Sequence, residues 1–181
     1  MEFRLILGGV MEFRKSTFSD INAMMQIIND AKLLLKKQNI NQWQCGYPNQ
    51  ALLEQDIKDG IGYVLYDKDK LLGLCAITFG ADASYSFIDG QWKTSGEKYA
   101  VVHRMAVAFD SHGKGIGLKL YQYAENIAKS ENMLSIRADT HHQNVAMQRT
   151  MQKAGFSPCG TIYIKGGEED GHPRIAMEKI I

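Results

Sequence analysis

Between Phe109 and Leu120 the chain reads FDSHGKGIGLKL. Gly113, Gly115 and Gly117 alternate with Lys114 and Ile116, and an apolar-periodic segment begins at Ile116. Residues of these types at this spacing suit phosphate binding. Successive backbone N–H groups at a helix start form an anion nest aided by the helix dipole, and glycine lets a diphosphate approach with no Cβ in the way. A nucleoside triphosphate loop would need G-x-x-x-x-G-K-[ST]. Here Gly115 stands where the magnesium-binding hydroxyl belongs, and no glycine lies five residues before Gly113. A dinucleotide fingerprint would need G-x-G-x-x-G opening a first strand–helix–strand unit. Here the third glycine comes one residue early, and the loop follows a late strand. What remains is another diphosphate-bearing coenzyme or an ordinary strand-to-helix turn.

Other side chains with chemical potential are spread along the chain. His103 and Arg104 interrupt the otherwise apolar YAVVHRMAV. In RADTHH, Arg137, Asp139 and His141 alternate, which in a strand points them to one face. Asp139 and Thr140 could equally close a turn. Trp43, Tyr47, Tyr85 and Trp92 sit in two polar-aromatic connections, as substrate walls or as core packing. Arg104, Arg137 and the histidines hint at a ligand carrying a carboxylate. Cys45, Cys75 and Cys159 are odd in number and lack a C-x-x-C pair, so they read as small buried hydrophobes in a reducing cytosol. No His, Cys or Asp spacing supports a metal site.

The elements that must position these residues follow from periodicity. Phe13–Lys15 reads as a strand, and Thr17 or Asp20 as the cap of a helix with Ile21, Met24, Ile28, Ala31 and Leu35 on one face. Asn49–Asp59 reads as a second helix. Gly62–Tyr66 and Leu71–Phe79 read as strands joined at DKDK, and Lys98–Phe109 as a third long strand. A helix from Ile116, the strand MLSIRAD, a helix capped by Asn144 and stopped at Gly155, and two final strands complete the order β-α-α-β-β-β-α-β-α-β-β. This is an α/β (α+β) chain with a mixed sheet of six to seven strands and helices on both faces.

The 181 residues suffice for one domain, 45% hydrophobic and 23% charged, with net charge +1. That balance gives no electrostatic footprint for nucleic acid or a membrane surface, and no apolar run reaches the roughly 18 residues of a membrane span. Met-Glu-Phe-Arg occurs at 1–4 and again at 11–14. The expectation is a single domain over 11–181 with residues 1–10 as an extension upstream of a natural start at Met11. The competing expectation is a genuine edge strand at Phe3–Leu7.

The loop H-G-K-G-I-G, with Val107 before it and NVAMQRTMQKAGF after it, resembles the GNAT N-acetyltransferase superfamily. The resemblance extends over most of 11–181 and implies that family's mostly antiparallel sheet. QWQCGYPN, VVHRMAV, IRADTHHQN and RIAMEK are further similar to a bacterial subgroup of unassigned substrate. The resemblance implies transfer of an acetyl group from acetyl-CoA, without a metal, to the primary amine of a small molecule in a ternary complex. It implies a cytoplasmic enzyme, a possible homodimer, and no nucleic-acid or membrane partner. Met105, Ala106 and Val107 would supply the thioester's hydrogen bond and flank the pantetheine arm. His112, Gly113, Lys114, Gly115, Ile116, Gly117, Leu118 and Asn144 would complete the coenzyme site.

Two departures stand out. His103 replaces a glutamate common on that strand, making it the candidate base or a structural residue. Met151 replaces a tyrosine that protonates the departing thiolate, which leaves Tyr163, His141 and Tyr123 as candidates for the acid, or no acid at all. The alternatives are transfer to a protein or peptide N-terminus, or an acyl-CoA sensor without turnover.

Overall fold

The computed structural model describes residues 5–7 and 11–181. Among the described residues nine strands make one sheet: β1 (Leu5–Leu7), β2 (Met11–Lys15), β3 (Gly62–Asp67), β4 (Lys70–Phe79), β5 (Asp89–Gly90), β6 (Tyr99–Val107), β7 (Ser135–Thr140), β8 (Ser157–Tyr163) and β9 (Pro173–Ile180). Their spatial order is β1-β2-β3-β4-β6-β7-β9-β8-β5. Among the described residues only β6–β7 pairs in parallel. The helices are α1 (Ile21–Lys37), α2 (Gln50–Lys58), α3 (Ile116–Ser130) and α4 (Val145–Lys153).

This is the expected mixed, mostly antiparallel sheet. The count exceeds six to seven because short β1 and β5 are added at its two edges. β1 occupies part of the supposed 1–10 extension, while the Met-Glu-Phe-Arg at 1–4 lies outside the described residues.

Alternating side chains assign the layers. Tyr63 and Leu65 of β3 join a core with Ile116, Leu120, Ala124 and Ile127 of α3. Val64 between them joins the opposite core with Ile21, Met24, Ile28 and Leu35 of α1. Asn49 starts α2 by accepting the Leu52 N–H at 3.0 Å, and Asn144 starts α4 by accepting the Met147 N–H at 3.2 Å. Asp20 instead closes the turn before α1. It accepts the Thr17 N–H at 2.7 Å, pairs with Arg14 at 2.8 Å and takes the Tyr66 hydroxyl at 2.8 Å.

The feature that makes room for a site is a bulge in β6. Leu74 faces Ala106 and Ala76 faces His103, so Cys75 alone opposes Arg104 and Met105. Arg104 takes φ +52°, a left-handed conformation rare for a non-glycine residue. Asp56 of α2 grips its guanidinium twice, at 2.9 and 2.8 Å, and Arg104 Nη1 donates to the Tyr47 hydroxyl at 3.3 Å. Beside the bulge the sheet opens. β6 and β7 pair only through Tyr99–Val101 against Ser135–Arg137, although β6 runs on to Val107 and β7 to Thr140.

Candidate functional site

A cavity of about 850 Å³ fills the gap between the parted strands, walled by α1 from one face of the sheet and α3 and α4 from the other. One end is the glycine loop. Gly113 and Gly115 take φ +74° and +76°, the left-handed region that favours glycine. Lys119 is the first N–H of α3 bonded in helical fashion, to the Gly115 carbonyl at 3.0 Å. The N–H groups of Ile116, Gly117 and Leu118 therefore lack intrahelical partners. A Cβ on Gly117 would stand 3.0 Å from Thr150 Cγ2, so glycine is also what lets α3 and α4 approach.

Gly113, Gly115, Ile116, Gly117 and Leu118 line the cavity, as do Met105, Ala106, Val107 and Asn144. Lys114 does not. His112 lines it, but its Nε2 lies 3.0 Å from the Val107 carbonyl, with the ring beside Phe109. The imidazole thus ties the loop to the end of β6.

The other end gathers acids and aromatics. His103 Nε2 lies 3.3 Å from Asp82 Oδ2. Burial alone would raise the Asp82 carboxyl, but His103 and the Ser84 N–H bring it below its ordinary value. Tyr85 donates its hydroxyl to Asp139 Oδ1 at 2.8 Å. Burial, then Asp139, push that phenol well above its ordinary pKa. Burial also raises the Asp139 carboxyl, against the opposing pull of the Tyr85 hydrogen bond. Among the described residues Asp139 has no ion-pair partner. The Trp43 N–H donates to Glu169 Oε1 at 2.6 Å, and Glu169 pairs with Arg174 at 2.8 Å. Gln42 accepts from Asn144 at 3.1 Å and Thr140 at 3.4 Å, latching the loop before α2 onto the start of α4.

Of the seven expected wall residues, Trp43, Tyr47, Tyr85 and Asp139 line the cavity, and Trp92, Arg137 and His141 do not. Arg137 pairs with Val101 in the zipped part of the sheet, below the point where the strands separate. It is 3% exposed, 3.0 Å from Glu178 and packed over the rings of Trp92 and Tyr99. Trp92 supports the site from behind, donating to the Tyr85 carbonyl at 3.2 Å. His141 lies past the end of β7, where its Nδ1 accepts the Gln143 N–H at 3.2 Å. Both arginines that hinted at a carboxylate ligand are taken, Arg104 by Asp56 and Arg137 by Glu178.

Of the cysteines only Cys75 is buried. Cys45 is exposed and Cys159 half-buried, because the loop and edge strand carrying them lie at the surface. Asp82, Gln42, Glu169, Arg174 and Tyr121 line or support the site without a sequence signal of their own, save one. Tyr121 follows Gly117 by four residues, so it shares that glycine's face of α3. No described helix is long and apolar enough to cross a membrane.

A family model described as Acetyltransferase (GNAT) family matches residues 23–156. An acetyltransferase of the GNAT family from Streptococcus agalactiae superposes with TM-score 0.84 at 26% identity, covering 99% of each chain. A putative acetyltransferase from Staphylococcus aureus gives 0.69 at 24%, over 93% of this chain and 97% of that one. A PaiA N-acetyltransferase from Thermoplasma acidophilum, solved in complex with coenzyme A, gives 0.67 at 19%, over 94% and 99%. No curated protein matches the chain in sequence.

Proposed function

The chain belongs to the GNAT acetyltransferase family, and within it we propose that it transfers an acetyl group from acetyl-CoA to the primary amine of a small molecule, by direct attack in a ternary complex. The observation that carries this reading is that, among the described residues, one cavity joins a set of backbone N–H donors without intrahelical partners to an acidic, histidine-bearing pocket. The loop from His112 to Leu118 takes the diphosphate, and the open edge of β6 at Met105–Val107 takes the pantetheine arm. The Thermoplasma relative, solved with coenzyme A, supports this assignment.

At the other end a cationic amine meets Asp139, whose carboxylate has no other ion-pair partner among the described residues. An alkyl ammonium has a pKa near 10, so roughly one part in 10³ is free amine at pH 7. His103, held by Asp82, is the base that takes the surplus proton. The nitrogen then attacks the carbonyl carbon, whose oxygen gains negative charge beside the bulged backbone of β6.

Thermal unfolding with acetyl-CoA, CoA, NAD and ATP tests the first half. A CoA species at 100 times its Kd adds about 2.7 kcal/mol, and no stabilisation by either CoA species overturns the reading. Thiol release across a panel of amino acids, polyamines, aminoglycosides and peptides tests the second, and separates turnover from a sensor or a peptide-specific enzyme. His103→Ala lowers turnover by roughly 10²-fold if it is the base, and unchanged turnover makes it structural.

A further inference from the structure

Tyr121 of α3 lines the cavity and is 4% exposed. Among the described residues its hydroxyl has one hydrogen-bond partner, the thioether Sδ of Met147 at 3.7 Å. A buried phenol ordinarily finds an oxygen or nitrogen, and a thioether is a weak acceptor. The O–H is therefore a strong donor held without a strong acceptor. Its ring is fixed against Phe156, with centroids 4.9 Å apart. Met105 and Val107 of β6 belong to the same packed cluster and line the same cavity. The titratable groups acting on it are Cys75 of β4, Asp139 of β7 and Tyr85 of the connection before β5. Tyr121 thus stands where the loop end meets the acidic end. Met151, where many relatives carry a tyrosine, is fully buried and outside the cavity lining.

We propose that Tyr121 is a catalytic hydrogen-bond donor to the sulfur of acetyl-CoA as the carbon–sulfur bond breaks. This deepens the acetyl-transfer reading above and rests on it. The amine nitrogen bonds to the carbonyl carbon, the carbon–sulfur bond breaks, and its electron pair stays on sulfur. His103, having passed the ammonium's surplus proton to solvent, takes the proton that the nitrogen sheds as the amide forms. Burial, reinforced by Cys75 and Asp139, holds the phenol far above its ordinary pKa, so its proton stays on oxygen. Tyr121 therefore stabilises a thiolate by hydrogen bonding rather than by protonating it. CoA leaves as thiolate and takes its proton from solvent after release.

The test is an ultraviolet titration of the thiol of CoA bound to the wild-type protein and to Tyr121→Phe. The bound thiol should titrate at least about one pH unit lower in the wild type. In parallel, kcat of Tyr121→Phe should fall roughly ten- to hundredfold with the KM for acetyl-CoA unchanged. Identical titrations overturn the proposal while leaving the transfer reading intact. An intact titration shift with no amine acetylated overturns the transfer reading and supports the bond to sulfur. If neither CoA species binds, both fall. Should the variant fail to fold, the wild type alone decides. Its affinity for CoA, relative to desulfo-CoA, should rise about tenfold as the pH is raised through the thiol's titration, and a constant ratio overturns the proposal.

Discussion

Truncating Asp56 to alanine tests whether the β6 bulge is held from outside the cavity. Asp56 lies on α2, and its two bonds to Arg104, 2.9 and 2.8 Å long, join side chains 5% and 10% exposed. Removing the carboxylate leaves the guanidinium buried with only the Tyr47 hydroxyl at 3.3 Å. Stranding one partner of a buried ion pair costs about 3–5 kcal/mol. For a chain of this length each kcal/mol lowers Tm by roughly 2–4 °C, so Asp56→Ala should lower it by roughly 6–20 °C. Arg104 also holds a left-handed φ, which strains a side-chain-bearing residue by about 1–3 kcal/mol. Freed from Asp56, it has less reason to keep that conformation, and the wall formed by Met105–Val107 should shift. The KM for acetyl-CoA should therefore rise in parallel. The double variant Asp56→Leu with Arg104→Met, which removes both charges, should recover most of the lost stability but not the KM. Calorimetry with steady-state kinetics reads both quantities. A Tm loss below about 3 °C for Asp56→Ala, or full recovery of KM in the double variant, would refute the reasoning.

Three further outcomes are expected. Gly115→Ala, at φ +76° with open space around the new Cβ, should lose about 1–2 kcal/mol of stability. Its Kd for CoA should rise roughly tenfold by calorimetric titration. Asp82→Asn, which removes the anion beside His103, should lower kcat roughly tenfold with KM for acetyl-CoA unchanged; an unchanged kcat would mean that the ion pair is dispensable. Burial works against Glu178, but Ser135, Thr94 and Arg137 hold its carboxyl below the ordinary glutamate value. Its contribution is complete above the unfolded pKa of about 4.3 and is lost as pH falls through the lower folded value, so Glu178→Gln should flatten the acid limb of a stability–pH curve.

The fold was legible wherever a period was. The stripe from Ile21 to Leu35, the strand runs at Gly62–Tyr66 and Leu71–Phe79, the Asn144 cap and the glycine loop each announce their element locally. β5 escaped notice because two residues carry no period. The interruption of an apolar strand by His103 and Arg104 was visible, yet its meaning as a bulge depends on the register against Cys75, which only the folded sheet supplies. The same limit explains the acceptor side. Alternation correctly set Arg137 and Asp139 on one face of β7, but the strands part between them. One residue is therefore sealed under Trp92 while the other reaches the cavity. Asp82 and Glu169 come from connections with no pattern of their own, and their roles arise from contacts more than 20 positions away in sequence, Asp82 with His103 and Glu169 with Trp43.

The three-residue zip between β6 and β7 divides the one sheet into two halves sharing a seam. Five strands, β1-β2-β3-β4-β6, lie on one side, and four, β7-β9-β8-β5, on the other. The cavity is thus a length of sheet left unsewn. A ligand lying along it does the work of a missing strand, satisfying backbone groups of β6 that pair with no strand on that side among the described residues. Binding should then register mechanically as well as chemically. The amides lining the seam should be the ones whose hydrogen exchange slows most when the coenzyme is present, and the two half-sheets should become harder to pull apart.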